Sequence, residues 1–182
     1  NVGAGKNVLT SITTGDKNVA VGYNALTANT TGSANVAIGE GSLVESNGND
    51  NVAIGPSSME KNTTGNYHTA IGSRSLKNNI GGAHNTAVGN EAGDLINIGS
   101  GNVMIGSGAD PSWENAHNQT VVGAHTKGIT DNSVTLGNDD VTAVYMAEDA
   151  GATVYAAGLN LGGTAVTATA AELNIIDGVT AT

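Results

Sequence analysis

Asn18-Val19-Ala20-Val21-Gly22 returns as Asn35-Val36-Ala37-Ile38-Gly39 and again as Asn51-Val52-Ala53-Ile54-Gly55. Further copies are Asn85-Thr86-Ala87-Val88-Gly89 and Asn102-Val103-Met104-Ile105-Gly106. Weaker ones are His68-Thr69-Ala70-Ile71-Gly72, Gln119-Thr120-Val121-Val122-Gly123 and Ser133-Val134-Thr135-Leu136-Gly137. The closing glycines are separated by 17, 16, 17, 17, 17, 17 and 14 residues. Gly5 precedes Gly22 by 17, which places a shortened coil at the start. Two other signals keep the same beat. One is a small-then-bulky pair: Ala25-Leu26, Ser42-Leu43, Ser58-Met59, Ser75-Leu76. The other is a turn: Thr13-Thr14-Gly15, Thr30-Thr31-Gly32, Asn47-Gly48, Thr63-Thr64-Gly65, Gly81-Gly82. A fixed period of this length is the signature of a solenoid.

One unit can be read physically. Val and Ile of Asn-Val-Ala-Ile-Gly lie two apart and share one face of a strand. The glycine lets the chain turn, and the Ala-Leu segment is expected to form a second short strand. The predicted fold is all-β: a β-solenoid or β-roll of about eight coils over residues 1–137. Stacked at about 4.8 Å each, the coils span roughly 40 Å. The expected core is Val19, Val21, Val36, Ile38, Val52, Ile54, Ile71, Val88 and Ile105, with Leu26, Leu43 and Leu76. On this reading the Ala and Ser face is buried against identical chains, because so few apolar groups per coil make a thin core. The expected assembly is a parallel homotrimer. Asn18, Asn35, Asn51, Asn85 and Asn102 open the strands and are expected to stack as a side-chain ladder.

Composition agrees. Gly is 27 of 182 residues, Phe is absent, and aromatics are 3%, so a core of large side chains on long helices is disfavoured. The net charge of −10 excludes a phosphate-binding surface of the usual basic kind, and no nucleic-acid partner is expected. No apolar run is long enough to insert in a membrane as a helix. Cysteine is absent, so no disulfide or thiolate site exists. The chain opens at Asn1 with no signal-like segment, which reads as a piece of something longer or a trimmed product.

Residues 138–182 differ from the repeats. Val141–Tyr145 and Ala152–Ala156 are expected to pair as a hairpin, Gly162-Gly163 to act as a hinge, and Thr169–Asp177 to form a short helix with Thr169 and Glu172 as a capping box.

The repeat, with its Ala-Leu and Thr-Thr-Gly signals, resembles two kinds of trimeric fibre. One is the head of trimeric autotransporter adhesins. The other is the shaft of bacteriophage tail fibres and related virion appendages. The stretch Thr167-Ala168-Thr169-Ala170-Ala171-Glu172-Leu173-Asn174-Ile175-Ile176-Asp177-Gly178-Val179-Thr180 is similar to a segment of phage structural proteins that often precedes a self-cleaving intramolecular chaperone. The resemblance implies a virion fibre with itself, other virion proteins and a host surface receptor as partners. The alternative it leaves is a bacterial surface adhesin or extracellular filament subunit.

No cofactor, metal or catalytic centre is expected. His68 takes the repeat's Asn position and reads as a substituted rung. His84, His117 and His125 lack a zinc-motif spacing. Asp139-Asp140 and Glu148-Asp149 read as solvated turn acids rather than a glycosidase pair. Trp113, after Pro111, interrupts the repeat and, with His117, is the candidate receptor or interchain contact.

Overall fold

A computed structural model describes residues 1–145, 159–161 and 164–166. The described residues are all-β and contain no helix. Nine short strands form one parallel sheet: β1 (Val2–Ala4), β2 (Val19–Val21), β3 (Val36–Ile38), β4 (Val52–Ile54), β5 (Thr69–Ile71), β6 (Thr86–Val88), β7 (Val103–Ile105), β8 (Gln119–Val122) and β9 (Ser133–Leu136). Each pairs with the next in chain order, and like residues meet like: Ala20 lies against Ala37, Ala37 against Ala53, Ala53 against Ala70. The repeat therefore sets the register, one coil per repeat.

The expected second strand does not form. Ala25-Leu26 and its equivalents lie in turns. Asn24 and Leu26 both have φ near +50°, as do Leu43, Met59 and Leu76. A left-handed residue at this point bends the chain inward, at a cost of about 1–2 kcal/mol for a non-glycine. Burial of the leucine offsets it, since fully burying such a side chain contributes about 1.5–3 kcal/mol. These turns still stack through backbone bonds, such as Leu26 N–H to Ser42 O at 3.1 Å and Leu43 N–H to Ser58 O at 3.1 Å.

The larger correction concerns which face is inside. Ala20, Ala37, Ala53, Ala70 and Ala87 are fully buried, packed with Leu26, Leu43, Met59 and Leu76. Leu26, Leu43 and Leu76 are thus core, as the sequence predicts. Val19, Val36 and Val52 are only half-buried, as is Ile54. Val21, Ile38, Ile71, Val88 and Ile105 are 36–41% exposed. The Val/Ile face points outward, and the alanine face is the interior rather than an intermolecular contact. The reason is space. Each coil has to close within 17 or so residues, and the bulky leucine already enters from the turn. Only a small side chain fits opposite it at interior packing density.

The coils that break the pattern support this. The coil opened by Asn85 has Gly93 in the leucine slot and a buried Ile96 where earlier coils carry Asn29, Ser46, Asn62 or Asn79. The next coil keeps the small residue with Ala109, has Asp110 at the leucine position, and carries Met104 in the alanine slot. Volume lost on one wall returns on another, the kind of exchange that cores tolerate best.

By contact the chain divides into Asn1–Val144 and Tyr145–Thr182, a boundary slightly beyond the expected one at 137. The second unit contains an antiparallel pair, β10 (Leu159–Leu161) with β11 (Thr164–Val166). Val141–Tyr145 carries no strand. The proposed partner Ala152–Ala156, the Gly162-Gly163 hinge and the Thr169–Asp177 helix lie outside the described residues.

Candidate interaction surface

Three columns carry most of the chemistry of the rod. The first is the ladder. Asn18, Asn35, Asn51, Asn85 and Asn102 are all buried and in line, together with His68 and Gln119. The expected amide ladder forms, but its bonds run chiefly to the backbone. Asn18 Oδ1 accepts from the Asn35 N–H at 2.9 Å, Asn35 Oδ1 from Asn51 at 3.0 Å, and Asn51 Oδ1 from His68 at 3.0 Å. Each amide nitrogen donates across its own coil, Asn35 to Gly48 O at 2.8 Å and Asn51 to Gly65 O at 2.9 Å. One direct amide–amide bond occurs, Asn102 Nδ2 to Asn85 Oδ1 at 3.1 Å. An asparagine here satisfies a donor one coil on and an acceptor across the coil. Asn51→Ala orphans the buried His68 N–H, while Gly65 O keeps the Asn62 amide at 3.1 Å. At about 1–3 kcal/mol for a buried unsatisfied group, it lowers stability by roughly 1–3 kcal/mol. Chemical denaturation against the parent measures this, and a loss below about 1 kcal/mol refutes the role assigned to the ladder.

The second column is the outer sheet face. Each strand presents its second and fourth repeat positions outward. The second positions run Val2, Val19, Val36, Val52, Thr69, Thr86, Val103, Thr120, Val134. The fourth run Ala4, Val21, Ile38, Ile54, Ile71, Val88, Ile105, Val122, Leu136. None is charged. Nine strands at about 4.8 Å make this strip about 38 Å tall. Monomeric soluble proteins rarely leave so long a contiguous apolar surface uncovered. The sequence reading named these residues and placed them on the wrong side of the sheet.

The third region is the corner opposite. Upstream coils carry polar Thr-Thr there, whereas downstream coils expose Ile80, Leu95 and Ile98. Trp113 is 48% exposed, so it does not plug the interior. Nearby, Asp131 Oδ1 accepts from the His117 N–H at 2.9 Å and from Gln119 Nε2 at 3.0 Å. These bonds, the His117 amide first, hold the Asp131 carboxyl below its ordinary range. The His117 side chain is exposed.

Stacking also creates an acid pair that the linear sequence conceals. Asp94 and Asp110 belong to successive coils, and the Asp110 carboxylate accepts from the Leu95 N–H at 3.2 Å. Burial, with the Asp94 charge adding to it, pushes Asp110 up to about 6, and burial raises Asp94 as well. The two acids lie 16 residues apart, one short of the local period of 17, so only a search that allows a one-residue offset would have found the pair. Asp139 and Asp140 are exposed beside an open cleft of about 530 Å³ that His125 and Lys127 also line. Glu148 and Asp149 lie outside the described residues. Among the described residues, no group of three or more His, Cys, Asp or Glu is placed to hold a metal ion.

Comparison of the chain with protein-family models, with curated proteins and with solved structures returned no match.

Proposed function

We propose that this chain is a structural fibre component of a virus particle, acting as a stiff shaft in a parallel homotrimer that serves host attachment. The uncharged Val/Ile strip carries the reading. Its two columns differ, one Val and Thr, the other mostly Ile and Val, so each can meet a different neighbour. Closed threefold packing supplies two different neighbours to every chain, and a parallel arrangement keeps equal rungs level. The formal charge of each chain is −10, three chains carry three times that, and the contact between them is accordingly apolar.

Stiffness has its own support. Backbone bonds and the Asn ladder both run along the stack, and no repeat differs from the rest in the manner of an active site. The virion setting rests on the likeness of the repeats and of Thr167–Thr180 to phage fibres. Other virion proteins and a host receptor are its partners in this reading, and the Trp113 corner is the proposed receptor or interchain contact. A bacterial surface adhesin remains the second reading, because the same rod serves it equally. Equilibrium sedimentation of the chain is expected to give three times the 17.9 kDa mass, and a stable folded monomer overturns the trimer. Electron microscopy of the parent particle separates the settings: density in a tail or appendage fibre supports the first, and density in an outer-membrane adhesin overturns it.

A further inference from the structure

We infer that His68 makes the junction between its own coil and the Asn85 coil a proton-operated seam in an otherwise uniform rod. Elsewhere in the ladder the acceptor is an amide oxygen, which can only accept. At His68 the acceptor is a ring nitrogen: Nδ1 takes the Asn85 N–H at 3.1 Å. An imidazole nitrogen accepts only while it carries no hydrogen. The Asn85 amide is a backbone donor and has no second role to adopt. Protonation of the ring therefore sets N–H against N–H and removes one rung.

The surroundings leave the ring no other place to go. His68 is buried, and because Nδ1 accepts, Nε2 carries the hydrogen of the neutral ring. That atom makes no hydrogen bond of good geometry, although the nearby Gly81 backbone favours the charged ring and opposes part of the effect of burial, and the buried Asn79 Oδ1 has no partner either. Both crowd against Gly65 together with Asn62 Oδ1. A Cβ built on Gly65 would lie 2.5 Å from Asn62 Oδ1, 2.5 Å from His68 Nε2 and 3.0 Å from Asn79 Oδ1. A ring so enclosed does not swing outward without opening the coil. The amide acceptors around Nε2 carry no charge to balance an imidazolium. The titratable group whose charge reaches it is His84, and its positive form opposes a second positive charge. Tyr67 stacks on His84 at 4.9 Å.

Burial first, and the His84 charge second, hold His68 down at about 4. The sign follows. Between the ordinary histidine range near 6.5 and about 4, the opened state binds a proton that the closed state refuses. The seam is closed most firmly above that window and loosens as pH falls through it, about tenfold per pH unit. Asp110, raised toward 6, works in the opposite direction over much of the same interval. Its effect belongs to the downstream coils, so global melting partly cancels the two while a local probe separates them.

Amide hydrogen exchange, corrected for intrinsic rates, tests the seam on the whole chain at pH 6.5 and 4.5. Protection of the Asn85 amide is expected to drop about 40-fold over those two units. The Asn35 and Asn51 amides, which bond to asparagine oxygens, are expected to hold. His68→Asn restores the common rung and removes the pH dependence at Asn85. Unchanged Asn85 protection in the parent, an equal loss at every rung, or the same loss in His68→Asn each overturns the seam. Should that variant not fold, NMR titration of the parent decides. His68 is expected to titrate together with the loss of Asn85 protection, and titration with the Asn85 bond intact refutes the proposal.

Discussion

Ala53→Asp is expected to abolish the folded solenoid, whereas Ile71→Asp is expected to leave the coils formed and to abolish the proposed trimer. The two positions are the test of which face is inside. Ala53 is fully buried, with Ala37 and Ala70 in register on either side and the leucine column opposite. A carboxylate there has no cation in reach and no room. Its desolvation costs several kcal/mol, and forcing extra volume into a packed core adds about 1–3 kcal/mol. Against a total stability of about 5–15 kcal/mol, little folded protein remains. Ile71 is 40% exposed, and its strand neighbours Ile54 and Val88 lie on the same outer strip. An aspartate there is solvated in the single chain. In a trimer it brings three carboxylates to one level of a dry contact. Circular-dichroism melts and sedimentation at matched concentration read both outcomes. The reverse order, with Ile71→Asp unfolded and Ala53→Asp folded, refutes the inward assignment of alanine.

The alternation Val-Ala-Ile by itself predicts that reverse order. Period two states that Val and Ile share a face, but not which face closes the coil. That choice is made by Leu26, Leu43, Met59 and Leu76, which enter from a turn rather than a strand. Their left-handed φ is tertiary information: leucine does not advertise such a conformation in sequence. The coil count, the parallel order and the strand register were all legible, because a strict spacing brings each residue beside its equivalent. The same spacing, applied to side chains, also places His68 beneath Asn85 and brings Asp94 within one residue of the level of Asp110. Those juxtapositions were available in the sequence but invisible to a search for local motifs. The His68 substitution reads there as a neutral replacement. Only the bond from Asn85 to Nδ1 reveals that this rung differs in chemistry from the rest.

Gly72→Ala is expected to be as damaging as a buried charge, while Gly101→Ala is nearly silent. Both glycines have positive φ, 133° at Gly72 and 70° at Gly101, so loss of flexibility alone does not separate them. Their surroundings do. A Cβ on Gly72 would lie 2.3 Å from Gly89 O and 2.5 Å from Gly89 C, both backbone atoms. Neither coil can retreat, because Gly72 N–H is bonded to Ile54 O at 2.7 Å and Gly89 N–H to Ile71 O at 2.8 Å. Relief of the clash requires breaking the sheet where β5 turns, at a cost of several kcal/mol including the strained φ. At Gly101 the nearest atoms to a new Cβ are Asn118 N at 3.8 Å and Asn118 Cα at 3.9 Å, ordinary contacts. Its φ lies in the left-handed region that Tyr67, His84 and Asn118 already occupy at the same point of other coils. Its cost is about 1 kcal/mol. Chemical denaturation of the two variants measures the difference directly. Equal losses mean that close approach of successive glycines is not what fixes this column.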